Sequence, residues 1–379
     1  MTAADAADGR HETVGPLLVP HQIVRAQIET VLRAWGMAPD HIAATVAVMV
    51  ETDLAGIDSH GISMLMMYDE LRRDGRLRLD AVPTVVRESP VTAAIDAGAG
   101  LGHPAAVFGM RLAIDKAKAS GLAAVTVFNS HHFGAAGYYA AMAAEAGLIG
   151  LVSSTARLVS VVPTRAAVPM LGTNPLAFAA PGRRNRPFLL DMATSTVAAN
   201  KVKVYDFHGK ELPPGWVVDA AGRTVTDAGA AMDFLFRRKE GGLSPIGGTA
   251  EMGSHKGYGL GVVAQLLAGA LAGASFGPLR VKTQREGDPD NIGHFFLALN
   301  PAFFRAEGAF EADADDVIDV LHATEPADPE APVLVAGDPE AAARAERLEQ
   351  GIPVTAELAR QIRALCEDCG APYLLRPRD

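Results

Sequence analysis

Cysteine is almost missing from this chain: Cys366 and Cys369 are its two thiols, spaced Cys-x-x-Cys near the C-terminus. Two thiols cannot build a disulfide framework. Zinc would need two further ligands, and no histidine pair at finger spacing lies nearby. A thioredoxin-type site needs a strand-to-helix turn, whereas the run Glu357 to Leu365 before the pair reads as helix. The pair is therefore read as ordinary cysteines at a helix end. Also missing is an apolar core of signal-peptide length in the first twenty residues, so a cytoplasmic location is expected by default. No excess of positive charge is present either. A net charge of −10, with the basic residues scattered, disfavours nucleic acid, whose affinity rests on Lys and Arg neutralising phosphates.

Two cofactor fingerprints are missing as well. A dinucleotide site of the usual kind places Gly-x-Gly-x-x-Gly between a strand and a helix. The nearest run, Gly98 to His103, carries His103 where the third glycine belongs, and Gly257 to Gly261 is followed by Val262. No Gly-Lys-Ser/Thr ends a Walker-type spacer. The residues by themselves leave the cofactor unnamed. The single long uncharged stretch, Gly257 to Leu279, is rich in Gly and Ala and contains Gln265; it reads as a buried helix rather than a membrane span.

What is present is an ordinary globular composition, 49% apolar and 21% charged over 379 residues, enough for two or three domains. Helical spacing marks Gln22 to Trp35, His41 to Ala55 with Asp40 as N-cap, and Met64 to Arg73 with Leu65, Tyr68 and Leu71 as its core face. From Thr92 onward strands alternate with helices: strands at Thr92 to Ile95, Ala123 to Phe128 and Ile149 to Ser153, helices at Ala105 to Ala119 and Ala135 to Ala146. Strands follow at Leu176 to Ala180, Pro187 to Asp191 and Phe295 to Leu299, with helices at Gly257 to Ala272 and Asp313 to Thr324. This is an α/β pattern. Pro326 to Pro332 reads as a linker.

Two histidine clusters carry the chemistry. His60, in Asp58-Ser59-His60-Gly61, stands beside a hydroxyl at a helix end; it is either a proton-transfer group or a cap on the helix dipole. His131 and His132, in Asn129-Ser130-His131-His132-Phe133-Gly134, follow a strand and either line a pocket or supply loop polarity. No neighbouring carboxylate completes a metal shell, so no metal is expected. Ser254-His255-Lys256 opens the uncharged helix and is a fair anion site, because Lys256 and the free amides point the same way.

Taken in order, these motifs, with Gly172 to Pro181, Asp191 to Ser195 and Lys256 to Leu260, resemble the malate/L-lactate dehydrogenase family of the non-Rossmann type. Ureidoglycolate dehydrogenases, diketogulonate reductases and piperideine-2-carboxylate reductases are relatives within it. The similarity runs from about His21 to Pro372. It implies an α/β non-Rossmann NAD(P)-binding fold with an N-terminal helical region to which the C-terminal segment returns, working as a homodimer on a small-molecule substrate with NAD or NADP. The division expected is a loose tail at 1–19, a helical and substrate/dimer domain at 20–120 plus 285–379, and a cofactor domain at 121–284.

The resemblance assigns His60 as proton donor and acceptor, with Ser59 orienting it, while ureidoglycolate-type members place the proton acceptor at the position of His132. It places the cofactor against His132, Phe133, Gly134 and Ala135, against Asp191, Met192, Ala193 and Thr194, against His255 and Lys256, and against Gly337 and Glu340. Thr173 would touch substrate. At Met64 relatives commonly carry an arginine that grips the substrate carboxylate. An unpaired carboxylate in a closed site costs on the order of 2–5 kcal/mol, so Arg157, Arg165 or Lys201 takes that role, or the substrate is less acidic at that end. The leading expectation is a 2-hydroxy acid/2-oxo acid dehydrogenase. A cyclic imine carboxylate reductase, a non-catalytic metabolite-binding homologue and, last, a metal hydrolase are the alternatives. Arg183, Arg184 and Arg186 either favour a 2′-phosphate or form a solvated turn.

Overall fold

The computed structural model describes residues 15–377. The chain enters through a short strand, β1 (Leu17–Val19), and three helices, α1 (His21–Ala34), α2 (Pro39–Leu54) and α3 (Leu65–Arg73). In α1 the positions Val24, Ile28 and Val31 recur at helical spacing and are buried, as are Leu65, Tyr68 and Leu71 in α3. Asp40 is not the cap of α2: Ala38 occupies that position and Pro39 the first turn, where its missing N–H is no loss. Of the tail expected at 1–19, residues 1–14 lie outside the described residues. Leu17–Val19 is not loose but pairs with a C-terminal strand, and Val19 is fully buried.

The middle of the chain is β2 (Thr84–Glu88), β3 (Thr92–Gly100), α4 (Gly102–Ser120), β4 (Leu122–Ser130), α5 (Ala136–Glu145), β5 (Ile149–Ser154), β6 (Leu176–Ala180) and β7 (Phe188–Met192). A small lobe follows, α6 (Ala199–Phe207), β8 (Val217–Val218), β9 (Thr224–Val225), α7 (Ala228–Phe236) and β10 (Gly242–Leu243), closed around Leu212, Val217 and Leu243. Next come α8 (Ser254–Ala264), continued by a π-helical turn over Gln265–Leu271, then α9 (Gly277–Thr283) and β11 (Ile292–Leu299). The chain closes with α10 (Ala309–His322), α11 (Asp338–Gln350), β12 (Ile352–Val354) and α12 (Ala356–Cys369).

Seven strands form one sheet in the order β2-β3-β4-β11-β5-β6-β7, of which β3 and β4 are parallel and joined through α4, and every other neighbour is antiparallel. The boundaries expected at 120/121 and 284/285 run through this sheet, since β3 lies before one and β11 after the other. Strand order follows pairing rather than nearness in sequence. Phe296 of β11 stands opposite Val125 of β4 and Val152 of β5 and is fully buried. The helices α4 and α5 reach the sheet closely because they present alanine and glycine: a Cβ on Gly109 would press on the Phe296 ring, and one on Gly150 would meet Ala140. A second core gathers α1, α2, α3, α12 and the β1–β12 ribbon. Cys366 is buried there with Gln27 donating to its sulfur, and both thiols are free.

The uncharged stretch is amphipathic in its setting. Ala264 and Ala268 face inward, and Gly293 of β11 admits the Ala268 carbonyl where any side chain would collide, while Leu260, Val263, Leu266 and Leu271 remain exposed. No described helix is long and apolar enough to cross a membrane.

Candidate active site

The turn between α2 and α3 carries Ser59 and His60. It is held from beneath by Asp53, fully enclosed at the end of α2, whose carboxylate accepts the Ile62 amide at 2.8 Å. Gly61 is required here: its Cα lies against that carboxyl group, and a Cβ would overlap it. Burial pushes the Asp53 pKa up to about 8, against the opposing pull of the Ile62 amide. From α11, Arg347 donates to the Asp53 carbonyl at 2.6 Å and pairs with Asp58. The turn is thus clamped from two helices.

His132, at the mouth of β4, meets this turn. Its ring centroid lies 5.2 Å from that of His60. Both imidazoles are closed in by neighbouring side chains, with only part of each ring reaching solvent, and burial lowers both pKa values, that of His132 well below the ordinary histidine range. Their hydrogen bonds differ in kind. His60 Nδ1 faces the Ser59 hydroxyl at 2.7 Å, a group that both donates and accepts. His132 Nδ1 faces the Tyr68 hydroxyl at 2.8 Å and the Gly134 amide at 3.3 Å. A backbone amide only donates, so Nδ1 of His132 is an acceptor and its proton sits on Nε2.

The histidine pair expected at 131 and 132 separates into two roles. His131 is buried, its Nε2 on the Arg76 carbonyl at 2.9 Å, beside the enclosed carboxylate of Asp290. That carboxylate is ringed by Arg76, Arg157 (3.1 Å) and Arg280 (3.8 Å), three guanidinium groups for one negative charge. Phe133 is buried, stacked on His294 with centroids 4.4 Å apart. Met64 packs partly buried against the helical core.

A groove of about 770 Å³ opens between α2, α5, β7 and α11. Ala135, Asp191, Gly337 and Glu340 are among the residues that line it. Gly137 lets α5 approach Asp191, whose carboxylate accepts its amide at 2.6 Å; burial and, more weakly, Glu340 lift the Asp191 pKa to about 6. Gly337 caps α11 at φ 101°, a left-handed conformation that glycine adopts without strain. The other expected contacts are not on its walls. Thr194 is buried and its hydroxyl is spent on the carbonyls of Thr173 and Asn174. Met192 ends β7 and Ala193 follows it, neither on the lining of the groove, and His255 and Lys256 stand exposed in the first turn of α8. By sequence, Asp53, Glu51 and Arg344 have no assigned site role and Tyr68 reads as core alone, which its burial bears out but which omits its hydrogen bond to His132. For Tyr68 the signal was available, since it lies four residues after Met64 on the same helical face.

Residues 19–363 match the malate/L-lactate dehydrogenase family. The chain belongs to that family. It is 34% identical over 357 residues to a malate dehydrogenase of Pyrococcus horikoshii, covering 94% of this chain and 96% of that one. An L-sulfolactate dehydrogenase of Methanocaldococcus jannaschii is 32% identical, with 90% and 94% covered. The crystal structure of malate dehydrogenase from Entamoeba histolytica superposes with a TM-score of 0.88 at 29% identity, over 94% and 99% of the two chains. Membership of the malate/L-lactate dehydrogenase family makes the protein an oxidoreductase.

Proposed function

We propose that His60 carries the proton and His132 holds the substrate oxygen in the interconversion of a small 2-hydroxy acid and its 2-oxo acid. The protein is a dehydrogenase of this substrate class and works with NAD or NADP. The observation that carries the division of roles is the pair of imidazoles 5.2 Å apart with unlike partners at Nδ1.

The groove suits the adenosine half of a dinucleotide: four elements border it, and Gly137 and Gly337 bring backbone to its walls. When bound, the nicotinamide supplies or accepts a hydride. In the direction of reduction His60 gives a proton from Nε2 to the substrate oxygen, and in oxidation it takes that proton back. The Ser59 hydroxyl accepts from Nδ1–H both when the ring is cationic and after Nε2 has given up its proton, so it supports both states of the cycle. His132 stays neutral and donates from Nε2, fixed in that tautomer by Gly134 and Tyr68. Of the three cations considered for the substrate carboxylate, Lys201 lies over the Trp216 ring. Arg157 is oriented by the enclosed Asp290 and half-exposed, in a cluster with two positive charges in excess, which suits an anionic substrate. Thr173 is proposed to touch substrate.

The long exposed stripe of Leu260, Val263, Leu266 and Leu271 supports a homodimer. Use of a nicotinamide pool and two free thiols support a cytoplasmic location. The deciding assay follows absorbance at the reduced-nicotinamide band across both cofactors and a panel of 2-oxo acids, with Met64→Arg alongside. Turnover of at least one 2-oxo acid is expected, and the Arg variant should shift preference toward plain carboxylates. No turnover of any 2-oxo acid, together with reduction of a cyclised amino-acid imine, would overturn the reading.

A further inference from the structure

The choice between NAD and NADP is written in the charges of the groove. His60 and His132 are not on its walls, and the hydride-carrying ring has to stand at those imidazoles. On the assignment made above, the groove therefore takes the adenosine half. Among the described residues its charged lining is Glu51, Glu145, Asp191, Glu340, Arg186 and Arg344, with no lysine. Arg344 is bound to Glu51 at 2.9 Å, and that pair cancels. Three carboxylates then stand against one guanidinium.

Of the arginines in the turn before β7, Arg186 alone is on the lining of this groove. Arg184 bridges to Asp316 and Asp319 of α10, and the amides of Arg183 and Arg184 close on Asp315. Neither lines the groove, so the cluster expected to favour a 2′-phosphate contributes Arg186 alone. A phosphate monoester there would bring about 1.5 to 2 further negative charges into a wall already short of cations. A ribose 2′-hydroxyl, by contrast, donates to a carboxylate.

We infer that this groove selects NAD(H) over NADP(H), with Glu340 and Glu145 as the residues that set the choice. The inference rests on the dinucleotide reading of the groove and deepens it.

Titration of NADH and NADPH into the protein without substrate, followed by nucleotide fluorescence, tests it. NADPH is expected to bind roughly tenfold or more weakly than NADH. Glu340→Gln and Glu145→Gln should each narrow that ratio, as should added salt. AMP should displace NADH better than its 2′-phosphorylated form, which locates the effect at the ribose. Equal or tighter binding of NADPH to the wild-type protein overturns the inference, and a ratio unmoved in both variants overturns the assignment to these two carboxylates. Glu145 is exposed at the end of α5, so its variant keeps the second test open should Glu340→Gln fold poorly. Binding of neither nucleotide would instead strike the dinucleotide reading itself.

Discussion

At the scale of the residue, the site turns on which groups can change protonation. Burial holds His60 below the ordinary 6.5, so the cation needed for reduction forms only on the acid side. The rate of reduction at low substrate is therefore expected to rise as pH falls through that lowered value, and the rate of oxidation to rise as pH increases. His60→Asn should cost on the order of 10²–10⁴ in kcat in either direction while NADH still binds; an unchanged kcat would remove the proton carrier from the account. Asp53 makes a different prediction, about stability. The native protein keeps its proton to about pH 8, whereas the unfolded chain releases it above the ordinary 3.8. The folded state thus holds more protons between those values, and stability falls as pH rises through that window, by at most about 1.4 kcal/mol per pH unit. Asp53→Asn keeps an acceptor for the Ile62 amide and loses the titration. Urea denaturation across pH should show the variant gaining on the wild type from about pH 4 to pH 8 and running parallel beyond it; parallel curves throughout would mean the carboxyl group is not enclosed as described.

At the scale of the element, β11 decides the most. It joins two halves of the sheet, and its burial on the inner face is concentrated in Phe296, wedged against Gly109 of α4. Phe296→Ala is expected to cost about 3–5 kcal/mol in urea denaturation, since α4 cannot collapse into the space without breaking its own packing. A loss below 1 kcal/mol would show that the sheet centre is less tightly filled than its geometry indicates. The strand β2 shows why one element was illegible: its five residues are all exposed, so no alternation of apolar and polar side chains marks it. The helix predicted over Gly257 to Ala272 is present but opens into a π turn where Gly293 lets the backbones touch, a contact with no trace in local spacing.

At the scale of the whole molecule, the exposed Leu260, Val263, Leu266 and Leu271 predict association. Sedimentation should find a dimer that Leu266→Glu dissociates; a wild-type monomer would remove that assignment. The sequence alone determined the α/β class and the core face of α3, because periodicity is a local property, while the family resemblance pointed to His60, His132, Asp191 and Gly337. It could not show that Tyr68 turns its hydroxyl to His132, that Asp53 is enclosed beneath the turn of His60, or that Glu145 and Glu340 face one groove. Those relations join residues up to some two hundred positions apart, and only the packing of α2, α5 and α11 around the sheet brings them within reach.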